Sequence, residues 1–308
     1  MMLHVTNGDH AADQIRAAGV EGEILPWRDV LHEGPVPAGL PLRELSAVRA
    51  AFLVSQGVAP AEAAEEFAAR DRALEQASGE IVLWFEHDLY DQLQLIQLLD
   101  WFAEHGQGVR LWLINPPEYL GTSAPERLAA WFAERQPVTP EQLALGRRAW
   151  AAFRAPDPTG VQRVMEGDTA ALPFLAAALR RHLEQLPSVQ DGLGRTERQL
   201  LEAVEGGAAT IRDAFVEHNR REDPVWLGDL SFLGYVDALA AGPRPLLVHT
   251  PAARPMEGSL RLTPTGRDVL AAREDCVRAN GIDRWYGGVH LRGHEARWRW
   301  DGGEVREG

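Results

Sequence analysis

Three short strings in the first third of the chain gather side chains that can do chemistry. Asn7-Gly8-Asp9 comes first, Arg28-Asp29 with His32-Glu33 second, and Glu86-His87-Asp88 with Asp91 third, while Asn115 ends a later apolar run. Carboxylates beside imidazoles in a site without lysine suit divalent-metal binding or general acid and base work. Crowding raises one carboxyl's pKa while a metal or an arginine offsets the rest. On this reading Asp9, Glu86 and Asp88 are candidate ligands for magnesium or manganese. His87 and His32 are candidates for the general acid or base, with Asp29 and Asp91 beside them. Arg28 is the anion anchor, and Asn7, Gly8 and Asn115 complete a substrate-binding crevice. A plainer reading makes Asp9 a helix cap and pairs Asp88 with Asp91 in a capping arrangement. Against caps alone stands the string Glu86-His87-Asp88, three ionisable groups where a cap requires one.

The elements that must position these groups alternate. Leu3-His4-Val5-Thr6 reads as a strand leading through a tight turn into a helix over 11–18, and Gly22 to Pro26 as a second strand. Residues 41–77 read as two helices, with Pro60 opening the second. Glu80 to Phe85 has the unbroken apolar character of a central strand covered on both faces, and Leu93, Ile96, Leu99 and Phe102 recur at helical spacing after it. Val109 to Ile114 is another buried strand. The order predicts a Rossmann-like, mostly parallel sheet flanked by helices over residues 1–120, without a G-x-G-x-x-G fingerprint. In such a sheet ligands bind outside the carboxyl ends of the strands, where all three polar strings fall. Trp27, Trp84, Trp112 and Trp131 read as core, and His4 as structural; His10, His105 and His182 have no partner that spacing supplies.

Residues 121–190 read as a helical connector and Pro187 to Gly194 as a linker. From 195 to 280 the order of three helices (195–204, 209–219 and 225–239), two strands (246–249 and 260–263) and a helix from Pro264 is that of a winged-helix-like α+β domain. Its third helix has Asp229 and Asp237 as its only charges, which suits protein contact better than a DNA groove. An extension over 281–308 interleaves arginine and tryptophan. That pattern fits a β-ribbon with one packed face, or a surface that stacks on bases.

Composition narrows the chemistry. All 31 basic residues are arginines, so Schiff-base, lysine-base and P-loop lysine mechanisms are excluded. Cys276 is the only cysteine, which rules out an intrachain disulfide and a cysteine-rich zinc site. The formal net charge of −14 is concentrated at the front: residues 1–120 carry 7 arginines against 19 acids, residues 195–308 carry 16 against 18. A nucleic acid would therefore meet only the C-terminal half. No apolar run reaches the roughly 20 residues of a membrane span, and no signal peptide opens the chain, so a cytoplasmic protein with no membrane partner is expected.

Asn7-Gly8-Asp9, Trp27-Arg28-Asp29-Val30-Leu31-His32-Glu33-Gly34-Pro35 and Leu83-Trp84-Phe85-Glu86-His87-Asp88-Leu89-Tyr90-Asp91-Gln92 together resemble the bacterial family designated domain of unknown function 1835. Arg284-Trp285-Tyr286-Gly287-Gly288 resembles C-terminal segments of the same family. The resemblance implies that the three polar strings travel together, which fits a shared site; it carries no mechanism. Three functions stay open: an enzyme acting on a phosphorylated or nucleotide-like small molecule, such as a metal-dependent hydrolase; a non-catalytic regulator that senses a ligand and contacts DNA or protein through the winged helix; and a structural adaptor.

Overall fold

Four runs of apolar residues form the parallel strands of the N-terminal unit: β1 (Leu3–Thr6), β2 (Glu23–Pro26), β4 (Gly79–Trp84) and β5 (Val109–Ile114), with a two-residue extended stretch, β3 (Gly34–Pro35), between the second and third. The computed structural model describes residues 2–308 and divides into two compact units, one up to Leu179 and one from Arg180. In the first unit the sheet order is β2-β1-β4-β5-β6, parallel except for β6 (Gln136–Pro137), which pairs antiparallel with β5. This edge strand interrupts a stretch whose composition predicts helix throughout. Pro137 can end it because a proline lacks only the ladder donor that an edge does not need.

The register places Thr6 beside Trp84, and Trp84 beside Ile114, so three strand ends finish level. Ile81, Val82, Leu83 and Trp84 are all buried, as a strand covered on both faces requires. Val82 and Trp84 point to one face, where they pack with Ala11 and Ile15 of α1 (Asp9–Ala17) and with Leu128 and Trp131 of α5 (Pro125–Glu134). Trp27 and Trp84 are fully buried and Trp131 nearly so, while Trp112 packs against the same cluster, so these tryptophans are core. His4 is structural too. Trp84 Nε1 donates to its Nδ1 at 3.1 Å, which leaves Nε2 to donate to the Glu21 carbonyl at 3.2 Å.

Four more helices complete this unit: α2 (Leu42–Ser55), α3 (Ala63–Gln76), α4 (Leu89–His105) and α6 (Pro140–Phe153), with α7 (Thr159–Glu166) beyond them. Pro60 does not open α3; it precedes a turn, and the helix starts at Ala63. α4 begins at Leu89, four residues before the periodic run that opens at Leu93, because Asp88 caps it, accepting from the Asp91 amide at 3.1 Å. α8 (Leu175–Leu183) spans the boundary between the units. Pro187 to Gly194 is turn with Asp191 and Leu193 buried, so this expected linker is packed chain.

The second unit contains α9 (Arg195–Glu205), α10 (Ile211–Asn219), α11 (Asp229–Ala240), an antiparallel pair β7 (Leu247–Thr250) and β8 (Ser259–Leu262), then α12 (Pro264–Leu270) and α13 (Cys276–Asn280). Two ribbons end the chain: β9 (Ile282–Gly287) with β10 (Val289–Gly293), and β11 (Trp298–Trp300) with β12 (Val305–Glu307). The interleaved residues of this tail are absorbed by the fold. Trp285 stacks on His290, Arg284 lies over Tyr235 and bonds Glu197, and Arg299 bonds Asp275. The ribbon with a packed face is therefore the observed form.

Candidate functional site

The carboxyl ends of β1, β4 and β5 release three segments at one edge of the sheet: Asn7 before α1, Glu86 to Asp91 into α4, and Asn115 after β5. Glu86, Asp88 and Asp91 are all buried, and each offers a carboxylate oxygen within 4.8 Å of the others. Asp91 lies one turn into α4, so its side chain comes back under its cap. Asn7 Nδ2 donates to both its oxygens at 3.0 and 2.9 Å, and the Glu86 amide donates to Oδ1 at 2.6 Å. Glu86 Oε1 accepts from the Leu120 amide at 2.6 Å and the carboxyl also meets the Gly121 amide. The Glu86 and Asp88 carboxyls are hydrogen-bonded neighbours.

A second ring of amides fixes the Glu86 backbone. Gln92 Nε2 and Asn115 Nδ2 both donate to the Glu86 carbonyl, at 2.7 and 3.1 Å, and Asn115 also bonds the Phe85 carbonyl at 2.7 Å. These bonds settle which end of each carboxamide is nitrogen. They leave Gln92 Oε1, on a fully buried residue, and Asn115 Oδ1 without hydrogen-bond partners among the described residues.

Burial and mutual repulsion dominate the electrostatics. Burial, then the Glu86 charge, pushes the Asp88 carboxyl up to about 8. Burial, then the charges of Asp88 and Glu86, raises Asp91 well above the carboxylate range, and burial raises Glu86 despite the amides that bond it. No basic side chain forms a salt bridge to any of the three among the described residues. Almost every hydrogen bond at the cluster is donated to a carboxylate, the arrangement suited to ionised groups, yet no basic side chain among the described residues pairs with them to balance their charge. A cation or protons must supply it. The donor set is all oxygen, the preference of magnesium, manganese and calcium. A spread of 4.8 Å is about what one ion with bonds of roughly 2.1–2.5 Å can bridge, directly or through a bound water.

The other predicted residues divide. Asp9 and Arg28 pair with each other at the exposed rim: Arg28 Nε and Nη2 donate to the two Asp9 oxygens at 2.9 and 2.5 Å, which holds the Asp9 carboxyl below its ordinary value. Asp9 therefore lies outside the acidic cluster. Arg28 adopts a left-handed backbone with φ 56°, unusual for a residue with a side chain, and its amide bonds the Asn7 carbonyl at 2.9 Å. Gly8 starts α1 in extended conformation. Asp29 is taken by Arg49, both fully buried, through a 2.9 Å bond. Arg49 also donates to the carbonyls of Val30, Glu33 and Pro35, so this pair organises the loop. His32 is buried with its ring edge-on to Tyr90, centroids 6.0 Å apart. His87 packs between Tyr119 and Phe174.

Sequence reasoning missed Gln92, Tyr90 and the 120–121 amides. Gln92 and Tyr90 stand inside the third polar string, and helical spacing from Asp88 places Gln92 one turn on; the amides come from a turn with no side-chain signal. No protein-family model matches the chain, and no curated protein shows significant similarity to it.

Proposed function

We propose that the acidic cluster binds a hard divalent cation and that the N-terminal unit uses it to bind and hydrolyse a phosphorylated or nucleotide-like small molecule. One observation carries the reading: three buried carboxylates hydrogen-bonded as acceptors, with no basic salt-bridge partner among the described residues, at the carboxyl edge of a parallel sheet. The orphaned Gln92 and Asn115 oxygens beside Glu86 support it, since they can accept from water on the ion. The ion would supply Lewis acidity and an activated water. Glu86, Asp88 and Asp91 would hold it, Asn7 would orient Asp91, and Arg28 at the rim would exchange its Asp9 contact for a phosphoryl group. Calorimetric titration with manganese and magnesium tests the proposal. One site that is lost in Glu86→Gln and Asp88→Asn is expected; no binding to the native chain refutes it.

A second reading concerns the C-terminal unit. Thr210, between α9 and α10, bridges Ser259 at the start of β8, adding a third strand position to the pair β7–β8. Helix, short strand, two helices and a hairpin is winged-helix order. The outward positions of α11 are Asp229, Leu230, Gly234, Asp237 and Ala238, with Leu230 52% exposed, which favours a protein partner over a DNA groove. A pull-down with the intact chain that survives high salt and is lost in Leu230→Glu supports this reading; a salt-sensitive duplex-DNA shift in its place opposes it.

A further inference from the structure

His10 stands in the first turn of α1, exposed, and its ring makes no hydrogen bond among the described residues. Its position is nevertheless built in. The ring lies on Gly121, in the turn whose amides bond the Glu86 carboxylate. A Cβ on Gly121 would overlap His10 Cδ2 and stand 3.3 Å from its Cγ and Nε2. Gly121 does not occupy the left-handed region, so nothing in its backbone calls for glycine. What the missing side chain provides is room for the imidazole.

We infer that His10 is a second group, beside Arg28, through which this site meets the anionic part of its ligand. The inference rests on the cation reading above and deepens it by naming the contact. The buried cluster offers acceptors and negative charge, which an ion can offset but which cannot themselves hold a phosphoryl oxygen. An imidazole N–H can, and the exposed His10 lies against Gly121, whose amide meets the Glu86 carboxyl. Arg28 must give up two bonds to Asp9 before it can meet an anion, whereas His10 is exposed and makes no hydrogen bond among the described residues.

Inorganic phosphate titrated onto the manganese-loaded full-length protein tests this, with manganese affinity measured in parallel. His10→Ala is expected to keep manganese affinity within about twofold and to weaken phosphate about tenfold or more, the scale of a hydrogen bond to a charged ligand. His10→Gln, which retains a donor, recovers part of the loss. Gly121→Ala reproduces it by displacing the ring, a cheap shift because the end of a flexible side chain gives way. Phosphate binding equal to native in both His10→Ala and Gly121→Ala overturns the inference, as does a manganese-loaded protein that ignores phosphate. Failure of the native chain to bind manganese is a different result: it refutes the cation site and removes this contact with it.

Discussion

Asp88 carries the pH behaviour expected of the site. Its carboxyl titrates near 8, raised from 3.8 by burial and by Glu86, so below that pH it is protonated, and a cation must displace the proton to bind. Manganese affinity is therefore expected to rise from pH 6 to 8, by up to about tenfold per pH unit for the proton that Asp88 releases; a flat profile in calorimetry contradicts the assignment. The same shift acts on folding with the opposite sign. A carboxyl whose folded pKa is raised stabilises the fold fully below its unfolded pKa, and this stabilisation is lost as pH rises toward the folded value. Native protein without metal should thus lose stability relative to Asp88→Asn between about pH 4 and 8, at no more than about 1.4 kcal/mol per pH unit, because Asn keeps the helix cap and cannot ionise. Parallel denaturation curves for the two proteins over that range would be the opposing result. At this scale the sequence was partly legible. Glu86, Asp88 and Asp91 were visible because a cap does not explain so many acids after an apolar strand. His10 was not, since only the fold sets it against Gly121, in the turn whose amides bond Glu86.

Among the elements, the loop from Trp27 to Pro35 shows why a polar string need not be a catalytic one. Arg49 of α2 and Arg70 of α3 reach it from below: Arg49 holds Asp29 and three carbonyls, and Arg70 bonds the Trp27 carbonyl at 2.8 Å while lying over its ring. With Arg49 fully buried, Arg49→Met leaves Asp29 charged and unpaired, which costs about 3–5 kcal/mol. Chemical denaturation is expected to show a loss of this size; a change under 1 kcal/mol would mean the pair does not organise the loop. The string Arg28-Asp29…His32-Glu33 names the right residues, but spacing cannot distinguish an aspartate that faces a ligand from one that meets an arginine of a later helix. Strand and helix identities were legible from apolar period, down to the central position of β4. The antiparallel edge at Gln136–Pro137 was not, because two residues carry no period and its partner lies more than 20 residues back.

At the scale of the whole molecule, charge sets what the chain can meet. A net charge of −14 with the excess in residues 1–120 opposes phosphate backbones, and the outward face of α11 carries no arginine. Duplex DNA is expected to show no salt-resistant shift with the full-length protein at physiological ionic strength; sequence-specific binding that persists there would reverse the reading of the second unit. Among the described residues no helix is long and apolar enough to cross a membrane. The division of the chain into two units places the whole acidic cluster in the first, so the cation reading stands on that unit's own strands. The most direct test is anomalous diffraction from crystals of the full-length protein grown with manganese. One strong peak coordinated by oxygens of Glu86, Asp88 and Asp91 is expected, absent from Asp88→Asn. No peak there at saturating manganese, or a peak unchanged in that variant, would contradict the cation reading.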